Sequence, residues 1–130
     1  MNNSRGTLFV VSSPSGGGKT TVINEVLKIN PKVSYSISAT TRAPRTEEQD
    51  GKDYFFLSEK DFFKLIRQDK FIEWEKVHGC YYGTLREQVE EKIYKGDKIL
   101  LDIDVQGGLN IKRSFSDSVL IFLWVPSVQV

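Results

Sequence analysis

The sequence has few of the residues that are typical of secreted, zinc-binding or membrane proteins. Its 130 residues include one cysteine, one histidine and four prolines. The single cysteine, Cys80, excludes an internal disulfide and a cysteine-rich zinc site, so we expect a reducing, cytoplasmic environment. The longest apolar run, residues 119–125, is far shorter than the roughly 20 residues of a membrane-spanning helix, so we expect no membrane association.

A large excess of charge of one sign is also missing. The 18 Lys and Arg residues nearly balance the 17 Asp and Glu residues, and the formal net charge is +1. This balance excludes a strongly basic nucleic-acid-binding protein and a polybasic membrane arm. The hydrophobic content of 39% is that of an ordinary globular chain, and the length corresponds to about one domain.

Three apolar segments predict the strands of a buried parallel sheet. They cover residues 7–12, 98–104 and 119–125. Because their apolar residues are nearly continuous rather than alternating, both faces of each strand should be covered. Residues 22–29 carry apolar side chains at helical spacing, and Asn30-Pro31 predicts the end of that helix. The pattern favours an α/β fold with a parallel sheet.

The middle of the chain differs in composition from its two ends. Residues 34–97 hold most of the charged and aromatic residues, with predicted strands at 54–57 and 71–77. We therefore predict a core formed by residues 1–33 and 98–130, and an inserted α+β subdomain at 34–97.

Two capping patterns predict helices inside the insertion. Ser58 and Asp61 have the spacing of a capping box, and so do Thr84 and Glu87. Gly96 stands where a glycine commonly ends a helix.

A glycine-rich segment after the first strand predicts a phosphate-binding loop. It nearly matches the pattern G-x-x-x-x-G-K-[ST], with Ser13 in place of the first glycine. Its backbone N–H groups could surround phosphate oxygens, Lys19 could reach the β- and γ-phosphates, and Thr20 could bind Mg²⁺. The alternative is a glycine-rich connector with a solvated lysine. The segment consists of Ser13, Pro14, Ser15, Gly16, Gly17, Gly18, Lys19 and Thr20.

Two carboxylates end the strand at 98–104. Asp102 would lie beside the phosphate loop, where a carboxylate can hold Mg²⁺ directly or through water. Asp104 would point the same way if the strand continued that far. The alternative is a pair of solvated acids at a strand end.

Together these segments resemble the guanylate kinase family. The resemblance rests on SPSGGGKTT at 13–21, SISATTRAPR at 36–45, DGKDYFF at 50–56, FIEWEKVHGCYYGT at 71–84 and ILLDIDVQG at 99–107. It implies a P-loop NTPase core with an inserted GMP-binding subdomain. It also implies phosphoryl transfer from ATP to GMP, giving ADP and GDP, with Mg²⁺. It further implies that ATP binds to residues 13–21, including Thr21, and that the metal binds to Thr20 and Asp102.

The resemblance also implies a set of GMP-binding residues. Arg42, Arg45, Tyr54 and Tyr82 match the positions that hold the GMP phosphate, and Ser38, Glu73, Thr84 and Asp104 match those around guanine. Lys19, Arg42 and Arg45 are the catalytic residues that it implies.

Glu73 matches the residue that recognises the base. Guanine presents N1–H and an exocyclic amine as adjacent donors, and one carboxylate can accept from both, whereas adenine presents an acceptor at N1. Strand alternation places Glu73 and Glu75 on one face. The alternative is that Glu73 is a surface acid on a strand.

Two other functions stay open from the sequence. Guanylate-kinase-like modules of scaffold proteins bind partner proteins without catalysis, but they typically have a degraded phosphate loop, whereas Lys19 and Thr20 are present here. A kinase for AMP is opposed by Glu73. The family's lid arginines and C-terminal part have no counterpart in this sequence, so we expect the chain alone to be weakly active or inactive.

Overall fold

The computed structural model describes residues 6–12 and 19–122 of the chain. In chain order, the elements of these two ranges are β1 (Thr7–Ser12), α1 (Lys19–Ile29), β2 (Val33–Ser36), β3 (Ala39–Thr40), β4 (Phe55–Phe56), α2 (Glu59–Arg67), β5 (Phe71–Val77), β6 (Cys80–Leu85), α3 (Arg86–Tyr94), β7 (Lys98–Asp102), α4 (Val105–Ser114) and β8 (Val119–Phe122).

The first sheet is parallel, with the strand order β2-β7-β1-β8. Val10 of β1 and Ile99 of β7 are fully buried on one face, where Val89 of α3 and Ile111 of α4 join them in one apolar cluster. On the opposite face, Ile23 of α1 packs in a second cluster. Each fully buried side chain of this kind contributes roughly 1.5–3 kcal/mol. The predicted α/β class with a parallel sheet is confirmed.

The strand at the edge of this sheet differs from the prediction. Leu120 of β8 packs against the core cluster, whereas Val119 and Ile121 are 41% and 37% exposed. The prediction that both faces of this strand are covered is therefore wrong for the described residues, because one face of β8 remains open to solvent. The predicted end of the strand, residues 123–125, lies outside the described residues.

The second sheet has the order β4-β3-β6-β5 and mixes parallel and antiparallel pairs. The predicted strand at 71–77 is confirmed as β5, while the strand predicted at 54–57 is limited to Phe55–Phe56. Helix α2 packs on this sheet through Phe62, whose ring stacks on Phe71 with 4.5 Å between centroids.

One of the two predicted capping boxes provides a cap. The Ser58 hydroxyl accepts a hydrogen bond from the Asp61 backbone N–H at 3.1 Å, so the predicted N-cap of α2 is confirmed. The predicted cap at Thr84 is wrong, because Thr84 belongs to β6 and α3 begins after Leu85 without a side-chain cap. Gly96 follows α3 with a φ of 87°, as predicted for a terminating glycine.

The strand β7 ends two residues before its predicted end. Asp104 adopts an extended conformation as the N-cap of α4, and its Oδ1 accepts a hydrogen bond from the Gly107 N–H at 2.9 Å. Helix α4 therefore begins at Val105, because Asp104 caps it there.

The two sheets share part of one core. Ile72 of β5, in the second sheet, belongs to the apolar cluster of the first sheet. The predicted insertion also contributes to the first sheet, since most of β2 lies within residues 34–97 and pairs with β7, and α3 contributes Val89 to the cluster. The predicted division at 33/34 and 97/98 stays a prediction. None of the described helices is long and apolar enough to cross a membrane.

Candidate functional site

Two adjoining clefts open at the carboxyl end of β7, between the first and second sheets. Ligands of open α/β sheets bind beyond the carboxyl ends of the strands. The first, which we name the acidic cleft, has a volume of about 300 Å³ and is lined by Ser38, Tyr54, Glu73, Glu75, Val77, Tyr82, Asp102, Ile103 and Asp104. The second, the arginine cleft, has a volume of about 420 Å³ and is lined by Ile23, Asn24, Leu27, Tyr35, Ser38, Arg42, Arg45, Glu48, Lys52, Asp53, Tyr54, Tyr82 and Asp102.

The clefts share four lining residues and are therefore continuous. The shared residues are Ser38, Tyr54, Tyr82 and Asp102. One ligand could extend from the carboxylates of the acidic cleft to the guanidinium groups of the arginine cleft.

Glu73 is the most buried acid of the acidic cleft, at 7% exposure. The Thr84 hydroxyl donates to its Oε1 at 3.3 Å, and the pairing of β5 with β6 places these two residues opposite each other. Its Oε2 is buried and has no hydrogen-bond partner among the described residues. A buried acceptor without a donor is costly, and a ligand that offers N–H groups would satisfy it.

Burial raises the pKa of Glu73 to about 7. The Thr84 hydrogen bond opposes this rise, and the nearby charge of Asp104 adds to it. Burial also raises the pKa of Glu75, together with its hydrogen bond and charge interaction with Asp104. The carboxylates that line this cleft therefore repel one another, and a ligand that brings hydrogen-bond donors would relieve that repulsion.

Arg42 is held in place by Glu48. Its two terminal nitrogens donate to the two Glu48 carboxylate oxygens, each at 2.9 Å, and the side chains are 17% and 18% exposed. The guanidinium also lies 5.2 Å from the centroid of the Tyr54 ring. The hydrogen bonds from Arg42 lower the pKa of Glu48 to about 2. The pair therefore keeps a fork-shaped donor oriented at the wall of the cleft.

The same carboxylate organises the turn that carries the second arginine. Glu48 Oε1 also accepts from the Arg45 backbone N–H at 2.8 Å, and the Glu48 N–H donates to the Arg45 carbonyl at 3.0 Å. The Arg45 side chain itself is exposed. The Tyr54 and Tyr82 rings meet edge-on nearby, with centroids 6.3 Å apart.

Asp102 connects these clefts to the start of the predicted phosphate loop. It is paired with Val11 in neighbouring strands, and the Ser12 hydroxyl donates to the Ile103 carbonyl at 2.6 Å. The predicted residues 13–18 lie outside the described residues, and so do the side chains of Lys19 and Thr20. Thr21 is exposed in the first turn of α1.

Most residues predicted for GMP lie around the two clefts. Ser38, Arg42, Arg45, Tyr54, Glu73, Tyr82 and Asp104 line one or both, and Thr84 contacts Glu73. Their roles stay predictions. Sequence reasoning missed Glu48 and Tyr35, which also line the arginine cleft. An acid three residues after Arg45 was the available signal for Glu48, whereas Tyr35 had none.

Comparison with known proteins places the chain in one family. A family model described as guanylate kinase matches residues 5–130. A guanylate kinase from Thermotoga maritima is 50% identical over 123 residues, which are 95% of this chain and 59% of that protein. One from Fusobacterium nucleatum is 52% identical over 122 residues, 92% of this chain and 64% of that protein.

A solved structure agrees with these relatives. The crystal structure of guanylate kinase from Anaplasma phagocytophilum superposes with a TM-score of 0.84 at 37% identity, covering 95% of this chain and 62% of that one. The chain spans about three fifths of the length of the first two curated relatives that it matches. The fold and the resemblance inferred from the motifs are confirmed, and the chain belongs to the guanylate kinase family.

Proposed function

We propose that this chain binds GMP across the two clefts and takes part in phosphoryl transfer from ATP to GMP, giving ADP and GDP. The observation that carries the proposal is the buried Glu73 Oε2, which has no donor among the described residues. Guanine offers two adjacent N–H donors, and the Glu73 carboxylate can accept both. Adenine would place an acceptor against the same carboxylate, which opposes AMP.

The arginine cleft suits the phosphate end of the same molecule. Arg42 and Arg45 line it, and two guanidinium groups can neutralise a phosphate dianion. Tyr54 and Tyr82 line both clefts, so their hydroxyls could donate to the phosphate between base and arginines. These four residues would orient a GMP phosphate oxygen for attack on the γ-phosphorus of ATP.

The transfer requires no general base from this chain. An ionised GMP oxygen forms the new P–O bond while the bond to the β-phosphate oxygen breaks, and ADP leaves with that electron pair. We assign ATP binding to residues 13–21, with Lys19 stabilising charge on the transferred group.

Asp102 and Thr20 fit a role in Mg²⁺ binding. Asp102 lines both clefts at the end of β7, and Thr20 lies in the first turn of α1. Among the described residues no cluster of three or more His, Cys, Asp or Glu could hold a metal alone. Mg²⁺ usually binds through one or two protein ligands together with substrate phosphates, whose charge it neutralises.

The free Cys80 fits a reducing cytoplasm.

Calorimetric titration with GMP, with AMP as the control, tests this proposal. We expect GMP to bind at least about 10²-fold more tightly, because AMP leaves the buried Glu73 carboxylate facing a lone pair. Absent or unselective binding by a chain that unfolds cooperatively would overturn the proposal and favour a protein-binding module. Binding is a better first measurement than turnover, because the chain spans only about three fifths of the length of its curated relatives.

The pH dependence of binding is a second expectation. The Glu73 pKa is about 7, and guanine requires the ionised form. Since only about one tenth of such a carboxyl is ionised at pH 6, affinity should be about tenfold weaker there than at pH 8. Guanosine is the appropriate ligand, because the phosphate of GMP itself titrates near pH 6. A flat profile for guanosine between pH 6 and 8 would contradict the role of Glu73.

A further inference from the structure

The first turn of α4 lies directly against the carboxyl group of Glu73. Gly107 is buried in this turn. A Cβ atom at Gly107 would lie 3.1 Å from Glu73 Oε2, 3.2 Å from Asp104 Oδ1 and 3.3 Å from Glu73 Cδ. All three distances are tighter than ordinary van der Waals contact, so any side chain there would displace one or both carboxylates by a few tenths of an ångström.

The Glu73 oxygen that lies against Gly107 is Oε2, which is the carboxylate oxygen without a hydrogen-bond partner among the described residues. Glu73 Oε1 accepts from Thr84, whereas Oε2 has no hydrogen-bond partner among the described residues. Thr84 therefore restrains one end of the carboxyl group, and the backbone of the α4 turn borders the other. Proximity to the N-terminal end of the helix also favours the ionised carboxylate.

We propose that Gly107 is a specificity-determining position: its missing side chain lets the first turn of α4 pack on Glu73 and hold Oε2 where a guanine base can donate to it. The inference rests on the proposed GMP site. Gly107 acts through Glu73 and is therefore a positioning residue. A carboxylate that accepts two adjacent donors must be placed to within about 0.5 Å, which is comparable to the displacement that a methyl group would cause.

The neighbouring glycine supplies a matched control. Gly108 is also buried in α4, but its Cβ would lie 2.7 Å from Leu120 Cδ1 and 3.3 Å from Val10 Cγ1, in the core and away from Glu73. Gly107→Ala and Gly108→Ala add the same methyl group to the same helix, and alanine favours helix formation equally in both. The two variants differ in what the methyl group contacts.

The test compares GMP with IMP, which lacks the 2-amino group, by calorimetry on the 130-residue chain. We expect Gly107→Ala to weaken GMP binding about tenfold and to reduce the preference for GMP over IMP. Gly108→Ala should lower the Tm and leave that preference unchanged. In a Glu73→Gln background, Gly107→Ala should have no further effect on GMP binding.

Two outcomes would overturn the inference. One is an unchanged preference for GMP in a folded Gly107→Ala variant, and the other is an equal loss of preference in both glycine variants. If Gly107→Ala lowers the Tm strongly, the shorter acid in Glu73→Asp/Gly107→Ala should restore it, and failure to do so would show that the methyl group clashes elsewhere.

A ligand-free measurement separates this inference from the proposed function. The ¹³C signal of the Glu73 carboxyl carbon should move in Gly107→Ala and stay in place in Gly108→Ala. A wild-type chain without GMP preference would overturn the proposed function, and base selection by Gly107 with it. A GMP-selective wild type with an unmoved carboxyl signal in Gly107→Ala would overturn only the inference about Gly107.

Discussion

The Glu73→Gln variant should bind GMP about 10²-fold more weakly than the wild-type chain, or worse. A hydrogen bond to a charged group contributes roughly 1.5–3 kcal/mol, two such bonds are lost or weakened, and each 1.4 kcal/mol is a factor of ten. The glutamine amide also directs N–H groups at a base that itself offers donors. The change in affinity is measured by calorimetric titration at pH 8.

The same variant should be more stable than the wild-type chain at high pH. The pKa of Glu73 is about 7 in the folded chain, above its ordinary 4.5, so ionisation opposes folding. By linkage this cost is absent below about pH 4.5, grows as pH rises, and is complete above about pH 7. At pH 8 it amounts to about 3 kcal/mol.

The glutamine amide keeps unpaired N–H groups of its own, so we expect a net gain of about 1–3 kcal/mol at pH 8. The gain should shrink at pH 5, where the folded wild type is already protonated. Urea denaturation of both chains at pH 8 and pH 5 measures the gain in the free energy of unfolding at each pH.

Glu91→Gln is the matched control for Glu73→Gln. It removes the same charge from an exposed position on α3, where Glu91 pairs only with Lys95 among the described residues. It should change neither GMP affinity nor the pH dependence of stability. A Glu73→Gln variant that binds GMP as the wild type does would refute the assignment of base recognition to Glu73.

The Arg42→Ala variant should bind GMP about 10²-fold more weakly, while its weak binding of guanosine stays within about twofold. A guanidinium fork makes charge-assisted hydrogen bonds to phosphate that guanosine cannot form. Removal of Arg42 also leaves the Glu48 carboxylate without its cationic partner beside the phosphate, because these two side chains form a two-bond ion pair. The measurement is titration with GMP and guanosine in parallel.

Two companion variants separate the contributions of charge and geometry. Arg42→Lys keeps the charge but not the fork, so its GMP affinity should lie between those of Arg42→Ala and the wild type. Arg42→Ala/Glu48→Ala should recover part of the affinity, because the repulsive carboxylate is gone. An equal loss of GMP and guanosine binding in Arg42→Ala would assign Arg42 to the architecture of the cleft and not to phosphate binding.

Local sequence patterns were sufficient to predict those structural features that one short segment determines. The capping spacing from Ser58 predicted the start of α2, and the apolar run at 7–12 predicted a buried strand. Residues Glu73 and Glu75 were expected on one face of a strand, and both line the acidic cleft. These outcomes follow from the helix and strand periods, which act over a few residues.

The predicted helix cap at Thr84 and the predicted end of the strand at residue 104 were both wrong, for different reasons. Thr84 had the spacing of a helix cap, but strand pairing places its hydroxyl beside Glu73, eleven residues away in sequence. Asp104 could have continued the strand, but it caps α4 through the Gly107 N–H. The partner of Thr84 is brought near only by strand pairing, whereas the cap at Asp104 is a local contact over three residues that competes with extension of the strand.

Patterns in the amino-acid sequence were enough to predict the α/β class, three of the four parallel strands, the family and eight of the eighteen residues that line the two clefts. The Arg42–Glu48 pair, the unpartnered oxygen of Glu73 and the contact between Gly107 and that oxygen arise only in the folded chain. The difference comes from the range of the interactions: backbone periodicity is local, whereas burial and the pKa of Glu73 depend on elements that meet only after the chain has folded.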